Sequence, residues 1–155
     1  MKALNVYRDS GVIDVSYINS FEKKVGYEFP TKYKELLSRH NALRPEEQMF
    51  DFKMNDHTDS RDVNFFGFGG LVDSDEHIEE YQQELDYCHN HIIVIGESAN
   101  GDFICFDYRK KLKTNCPLVV LMLHDYLDEN NKMLICPVAD DFEQFVELLY
   151  KDENS

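Results

Sequence analysis

The chain has 155 residues, of which 43% are hydrophobic and 13% aromatic, a composition that excludes a disordered chain and predicts one domain over residues 1–155. Its 30 acidic residues against 16 Lys and Arg give a formal net charge of -14 at pH 7, which disfavours binding to nucleic acid and to anionic membranes. The longest purely apolar run, residues 118–123, is far shorter than the ~20 residues that span a bilayer, and without a signal peptide we expect a cytoplasmic protein.

Two short helices are predicted near the start of the chain. Apolar residues spaced three and four positions apart indicate a helix over residues 16–25, and the same spacing indicates a second helix over residues 31–40. Gly26 follows the first helix at the position where a helix commonly ends in a left-handed conformation. Pro30 fixes the backbone where the second helix begins, so the segment is predicted as helix, stop and helix.

The middle of the chain predicts strands and a third helix. Residues 50–52 alternate apolar and polar side chains, as a short strand does. Residues 63–72 are strand-like but contain three glycines, which predicts a bulge or a sharp bend. A helix is predicted from Asp73 or Ser74 onward, because these residues can cap it and acidic residues fill its first turn. Its buried face is predicted to comprise Ile78, Tyr81 and Leu85.

Two β-hairpins are predicted in the second half of the chain. Residues 91–95 form an apolar strand, and residues 103–108 form its partner across a turn that contains Asn100-Gly101, a strong hairpin signal. Residues 118–123 and 133–138 predict a second hairpin across a polar loop.

A further helix is predicted close to the end of the chain. Asp140 is expected to cap it, and Glu143, three residues later, is expected to complete a capping box. Helices toward both ends of the chain, with antiparallel hairpins between them, predict an α+β fold.

Several of these segments occur in an order and at a spacing typical of one family. The N-terminal residues concerned are Phe21-Glu22, Gly26, Phe29-Pro30, Tyr33, Leu36-Leu37 and Asn41. The later segments are residues 65–69, 92–95, 99–105 and 141–149. Together, from about residue 16 to residue 150, they resemble the Smi/Knr branch of the SUKH superfamily. One departure is Asn41-Ala42-Leu43, where many relatives carry Asn-Gly.

The resemblance implies a fold and a function. The implied fold is a single mixed, mainly antiparallel sheet, flanked by the N-terminal helix pair, a middle helix and a C-terminal helix. Proteins of this type are commonly encoded beside polymorphic bacterial toxins, often nucleases, and neutralise them by direct binding. Some relatives act in fungal cell-wall signalling, which leaves a non-enzymatic regulatory interaction domain as the alternative.

No motif for catalysis or cofactor binding stands out. Cys88-His89-Asn90-His91 contains zinc-ligand types, but no second ligand pair lies at a suitable spacing, so we expect no metal. Ser98 lies in a segment that lacks the Gly-x-Ser-x-Gly spacing, and it is predicted as a loop residue. The four cysteines are scattered, and Cys105 and Cys136 are predicted to lie in the core. We expect a protein that is not an enzyme and that needs no cofactor.

Acidic residues are concentrated in two stretches that we predict as partner-binding surfaces. Residues 62–108 contain no Lys or Arg, which creates a negative field that favours a basic partner. The first candidate surface is the flank of the predicted middle helix, with Asp75, Glu76, Glu79, Glu80 and Glu84. The second candidate surface comprises Asp51, Asp56, Asp59 and Asp62. The plainer alternative is that these residues only keep the protein soluble.

An immunity protein is the function that this pattern and the resemblance together favour. A nuclease presents a basic groove to phosphates, and an acidic protein is able to fill that groove and keep nucleic acid out. The expected partner is therefore a cognate protein toxin with a basic nuclease domain. A metal-dependent hydrolase that uses the Asp-rich stretch is a third hypothesis, and no motif supports it.

Overall fold

A computed structural model describes residues 1–82 and 88–153 of the chain. The α-helices in these ranges are α1 (Ser16–Val25), α2 (Thr31–Arg39) and α3 (Phe142–Leu148). Two 3₁₀ turns span Ser74–Glu76 and Ile78–Tyr81. The strands are β1 (Val6–Arg8), β2 (Arg44–Pro45), β3 (Met49–Met54), β4 (His57–Asp62), β5 (Asn64–Phe65), β6 (Ile92–Glu97), β7 (Phe103–Asp107), β8 (Leu118–Leu127) and β9 (Met133–Ala139). No helix in the described ranges is long and apolar enough to cross a bilayer.

Five strands form one antiparallel sheet in the order β5-β6-β7-β8-β9. Both predicted hairpins lie in this sheet, since β6 pairs with β7 and β8 pairs with β9. Two separate ribbons are formed by β1 with β2 and by β3 with β4. The α+β class and the antiparallel pairing are confirmed. The described strands nevertheless divide among three sheets, so the expectation of a single sheet is corrected.

The core contains an aromatic cluster that joins the sheet to the helices. The ring of Phe106 in β7 lies 5.0 Å from Tyr33 of α2, 5.9 Å from Phe29 and 6.1 Å from Phe142 of α3, measured between centroids. All four side chains are buried. Such aromatic pairs contribute roughly 0.5–1.5 kcal/mol each beyond the burial of their area. The cluster therefore fixes α2 and α3 against one face of the sheet.

The predicted middle helix is wrong over the described residues. The chain forms two 3₁₀ turns, with His77 extended between them at φ −89° and ψ 125°. The N–H of Gly67 donates to the carbonyl of Glu76 at 2.7 Å, and the N–H of Ile78 donates to the carbonyl of Gly67 at 2.9 Å. These tertiary bonds occupy groups that an α-helix needs for its own hydrogen bonds. Ile78 is buried as predicted, whereas Leu85 lies outside the described residues.

The last helix begins one residue later than predicted. Asp141, and not Asp140, is the N-cap, and its carboxylate accepts a hydrogen bond from the N–H of Gln144 at 2.8 Å. The side chain of Gln144 accepts a hydrogen bond from the N–H of Asp140 at 2.6 Å. These two bonds resemble the predicted capping box, shifted by one residue. The shifted register places Phe142 in the first turn, where it is fully buried in the aromatic cluster.

The loop after α2 has a glycine-like conformation without a glycine. Ala42 has a φ of 52°, in the left-handed region that favours glycine, at the point where the sequence departs from Asn-Gly. Its neighbour Asn41 is only 1% exposed. The Asn41 side chain accepts a hydrogen bond from the N–H of Phe68 at 2.8 Å and donates one to the carbonyl of Phe68 at 2.9 Å. The bend predicted within residues 63–72 comes immediately after Phe68, at Gly69, which has a φ of 87°.

Candidate partner-binding surface

The first predicted acidic surface lies on the two 3₁₀ turns. Asp75 and Glu80 are exposed, and neither forms an ion pair with any other residue in the described ranges. Glu79 is also exposed, but its carboxylate lies 3.2 Å from the ammonium group of Lys24 in α1. Glu84 lies outside the described residues. The charges that face solvent most freely on this surface are therefore those of Asp75 and Glu80.

Two arginines neutralise part of the first surface. The guanidinium groups of Arg8 and Arg44 lie 3.7 Å and 3.8 Å from the partly buried carboxylate of Glu76. Glu76 is consequently compensated within the chain, and it contributes less than its neighbours to the outward field.

The second predicted surface is divided by the pairing of β3 with β4. Asp51 lies opposite Ser60, and Asp62 lies opposite Met49, which places both acids on the same face of the ribbon. Asp59 lies opposite the buried Phe52 and so belongs to the other face. Asp56 lies in the exposed turn between the strands. The fold therefore does not bring these four residues together.

Glu97 links one residue of the second surface to the first surface. It ends β6 opposite Asn64 of β5 and is partly buried. Burial raises the pKa of Glu97, Arg44 opposes this shift, and the negative charges of Asp75 and Asp62 add to it. Asp62 also accepts a hydrogen bond at 3.0 Å from the N–H of Ala99, two residues after the end of β6. The fold thus brings Asp75 and Asp62 within electrostatic reach of one carboxylate.

Tyr81 marks the same acidic region. Burial raises the pKa of its hydroxyl, and four carboxylates raise it further, those of Glu97, Asp75, Glu80 and Glu76. We name this region the Glu97 patch, which comprises Asp62, Asp75, Glu76, Glu80 and Glu97. Glu97 was absent from both predicted surfaces. The signal that could have identified it is its position as an acidic residue at the end of an otherwise apolar strand.

A separate buried network accounts for Asp59. Asp102 is 2% exposed and accepts hydrogen bonds from Arg61 Nε at 2.8 Å, from the N–H of His124 at 3.0 Å and from His124 Nδ1 at 2.5 Å. Burial alone raises the pKa of Asp102, but the hydrogen bonds from Arg61 and His124 outweigh it and hold that pKa below its ordinary value. Arg61 also donates to Asp59 at 3.0 Å, so the Asp59 charge is compensated within the chain.

The Cys-His segment does not form a metal site in the described ranges. His89 contacts the carbonyl of Met133 through Nε2 at 2.8 Å, and His91 contacts the hydroxyl of Tyr27 through Nδ1 at 2.5 Å. The two imidazoles are thus directed to different partners. No group of three His, Cys, Asp or Glu side chains within residues 1–82 and 88–153 is arranged to hold a metal ion.

Residues 13–148 match the model of the SMI1 / KNR4 family (SUKH-1). The chain belongs to this family. The resemblance predicted from the helix pair, the hairpins and the closing helix is therefore confirmed. A search of curated proteins and a search of solved structures found no match.

The range that matches the SMI1 / KNR4 family covers the elements that build the surface. It includes α1, α2, α3 and the five-stranded sheet. It also includes every residue of the Glu97 patch. The patch is thus built on the framework that defines the family, whereas β1 lies outside the matched range.

Proposed function

We propose that this chain is an immunity protein that neutralises a cognate polymorphic toxin by direct binding through the Glu97 patch. In this proposal the toxin carries a basic nuclease domain, and the chain acts by binding, without catalysis and without a cofactor. The observation that carries the proposal is that the charges of Asp62 and Asp75 both act on Glu97, at the end of β6, in a SMI1 / KNR4-family chain.

The physical basis is electrostatic competition for a phosphate-binding groove. A nuclease groove attracts phosphates with Lys and Arg side chains, and a negatively charged protein surface is attracted by the same field. Asp75 and Glu80 are exposed and uncompensated, so they are suited to meet such side chains first. Charges of this kind raise the association rate and confer strong salt dependence.

The proposal predicts that charge reversal on the patch slows association. The test pair is Asp75→Lys with Glu80→Lys in one chain, and the control is Glu28→Lys with Glu129→Lys, which are exposed residues in two other loops. Both double variants change the net charge equally. We expect the patch variant to lower the association rate by about tenfold or more at low salt, and the control to lower it much less.

The measurement is surface-immobilised binding kinetics against the protein encoded beside this chain's gene, at two salt concentrations. Equal rates for the patch and control variants would show that only net charge matters, and would remove the Glu97 patch from the proposal. Absence of binding by the unaltered chain would refute the immunity proposal. A specific partner that is a regulator with no toxin activity would favour the alternative, a non-enzymatic regulatory interaction domain.

A further inference from the structure

A tight turn next to the acidic residues presents one fully exposed leucine. Leu71 is 95% exposed, the highest value among the large hydrophobic side chains within residues 1–82 and 88–153. The turn is closed by a hydrogen bond from the N–H of Val72 to the carbonyl of Gly69 at 3.4 Å. Leucine at this exposure contributes nothing to the core, so its side chain is available to a partner.

The turn is held at both ends by buried groups. Phe68 and Val72 are buried on either side of the exposed leucine. The side chain of Asn41 holds both backbone groups of Phe68, at 2.8 Å and 2.9 Å. A contact made by Leu71 therefore requires little further ordering of the backbone, which lowers the entropic cost of binding.

Apolar surface continues from the turn to α1. A groove of about 270 Å³ lies between the two elements, with Tyr17, Phe68 and Ile78 among the side chains that line it. Tyr17 is itself exposed, and its ring lies 3.5 Å from the position that a Cβ on Gly69 would take. Tyr17 thus lies beside Gly69, two residues before Leu71, and both exposed side chains flank the same turn.

Acidic residues border this apolar region. Asp73 and Asp75 are exposed and follow Leu71 in the chain after two and four residues. Glu79 also lines the groove, together with its ion-pair partner Lys24, so the net negative charge of the rim comes from Asp73 and Asp75. An apolar centre with a charged rim is the arrangement of many protein–protein contacts. The sign of the rim specifies a partner surface that is basic around an apolar recess.

We propose that Leu71 and Tyr17 form the apolar anchor of the contact with the basic protein partner. This inference rests on the proposed function and adds the residues that hold the complex together. The acids of the Glu97 patch govern the association rate through a long-range attraction that salt screens. Leu71 governs the dissociation rate through burial of its apolar side chain, a contact that is insensitive to salt.

Truncation of the leucine separates these two roles. The test variant is Leu71→Ala, and the matched control is Leu112→Ala, which removes the same atoms from a half-exposed residue that directly follows Arg109, Lys110 and Lys111. Against the protein encoded beside this chain's gene, we expect Leu71→Ala to raise the dissociation rate by about tenfold or more. We expect unchanged association rates, an unchanged salt dependence and an unaltered melting temperature, and wild-type kinetics for Leu112→Ala.

The possible outcomes distinguish the anchor from the function. If the unaltered chain binds and both leucine variants dissociate at the same rate, the anchor is wrong and the immunity proposal stands. If the unaltered chain does not bind, the immunity proposal fails and the anchor fails with it. If Leu71→Ala changes only the association rate and its salt dependence, the apolar contact is refuted in favour of a purely electrostatic one.

Discussion

Replacement of Asp102 by Asn tests whether its buried network stabilises the fold. Asn has the same shape as Asp but carries one acceptor oxygen and one amide group. If the oxygen keeps the two hydrogen bonds from His124, the amide faces Arg61 Nε, which also donates. One charge-assisted bond is lost and a largely buried donor is left unpaired, which costs roughly 2–3 kcal/mol. For a chain of this size the melting temperature should fall by about 4–12 °C.

The control for this variant is Asp125→Asn, which follows His124 in β8. Asp125 is 74% exposed and lies 3.1 Å from the other imidazole nitrogen of His124, so its loss should cost at most about 1 kcal/mol. Both variants are compared with the wild type by urea unfolding and thermal melting. Equal destabilisation by the two substitutions would refute the reasoning, because it would mean that burial does not decide the cost.

The pH dependence provides an independent check on the same network. Since the pKa of Asp102 lies below its ordinary value of 3.8, the native state favours the charged form. The stability that this charge contributes is complete above the unfolded-state pKa and declines as the pH falls through the native-state pKa. The wild type should therefore keep its advantage over Asp102→Asn at neutral pH and lose it only in the acid range below 3.8.

Two further substitutions address the surface and its support. Because burial raises the pKa of Glu97, its charge lowers stability above the ordinary pKa of Glu, so Glu97→Gln should melt at an equal or higher temperature at pH 7. The same variant should associate several-fold more slowly with the basic partner. Asn41→Ala removes two buried hydrogen bonds to Phe68 and should cost roughly 2–4 kcal/mol in urea unfolding, whereas the exposed Asn130→Ala should stay within about 0.5 kcal/mol.

If Glu97→Gln melts below the wild type at pH 7 and above it only in acid, the charge of Glu97 stabilises the native state, which is the opposite of the expectation. A cost for Asn41→Ala no larger than that of Asn130→Ala would show that water replaces the hydrogen bonds to Phe68.

Local sequence signals predicted the elements whose partners are close in the chain. The helices α1 and α2 follow from their apolar spacing, from Gly26 and from Pro30, and the first hairpin follows from Asn100-Gly101. The prediction of the middle helix is wrong because the backbone of Gly67 forms hydrogen bonds with the carbonyl of Glu76 and the N–H of Ile78, the two neighbours of His77. The spacing of apolar residues within 73–82 does not indicate that tertiary contact.

The candidate surface was predictable in composition but not in shape. The acidic stretch over residues 62–108 is visible from the absence of Lys and Arg. The sequence does not show which of these acids lie together. The pairing of β3 with β4 places Asp59 beside Arg61, which compensates its charge, whereas Asp62 lies close enough to Glu97 to raise the pKa of that residue. The bond between Asp102, directly before β7, and His124 in β8 links residues 22 positions apart and has no local signature.

The geometry of the candidate surface depends on Asn41, which connects distant segments of the fold. Its backbone carbonyl accepts a hydrogen bond from Ser10 at 2.7 Å, and its N–H donates to Gly11 at 2.9 Å, while its side chain holds Phe68. Three distant segments thus meet at one buried amide, directly after the helix that packs on the aromatic cluster. A chain in which this junction has opened loses the geometry that presents Leu71. In the proposed complex, partner binding would therefore be cooperative with folding, because only the folded chain presents Leu71 in this geometry.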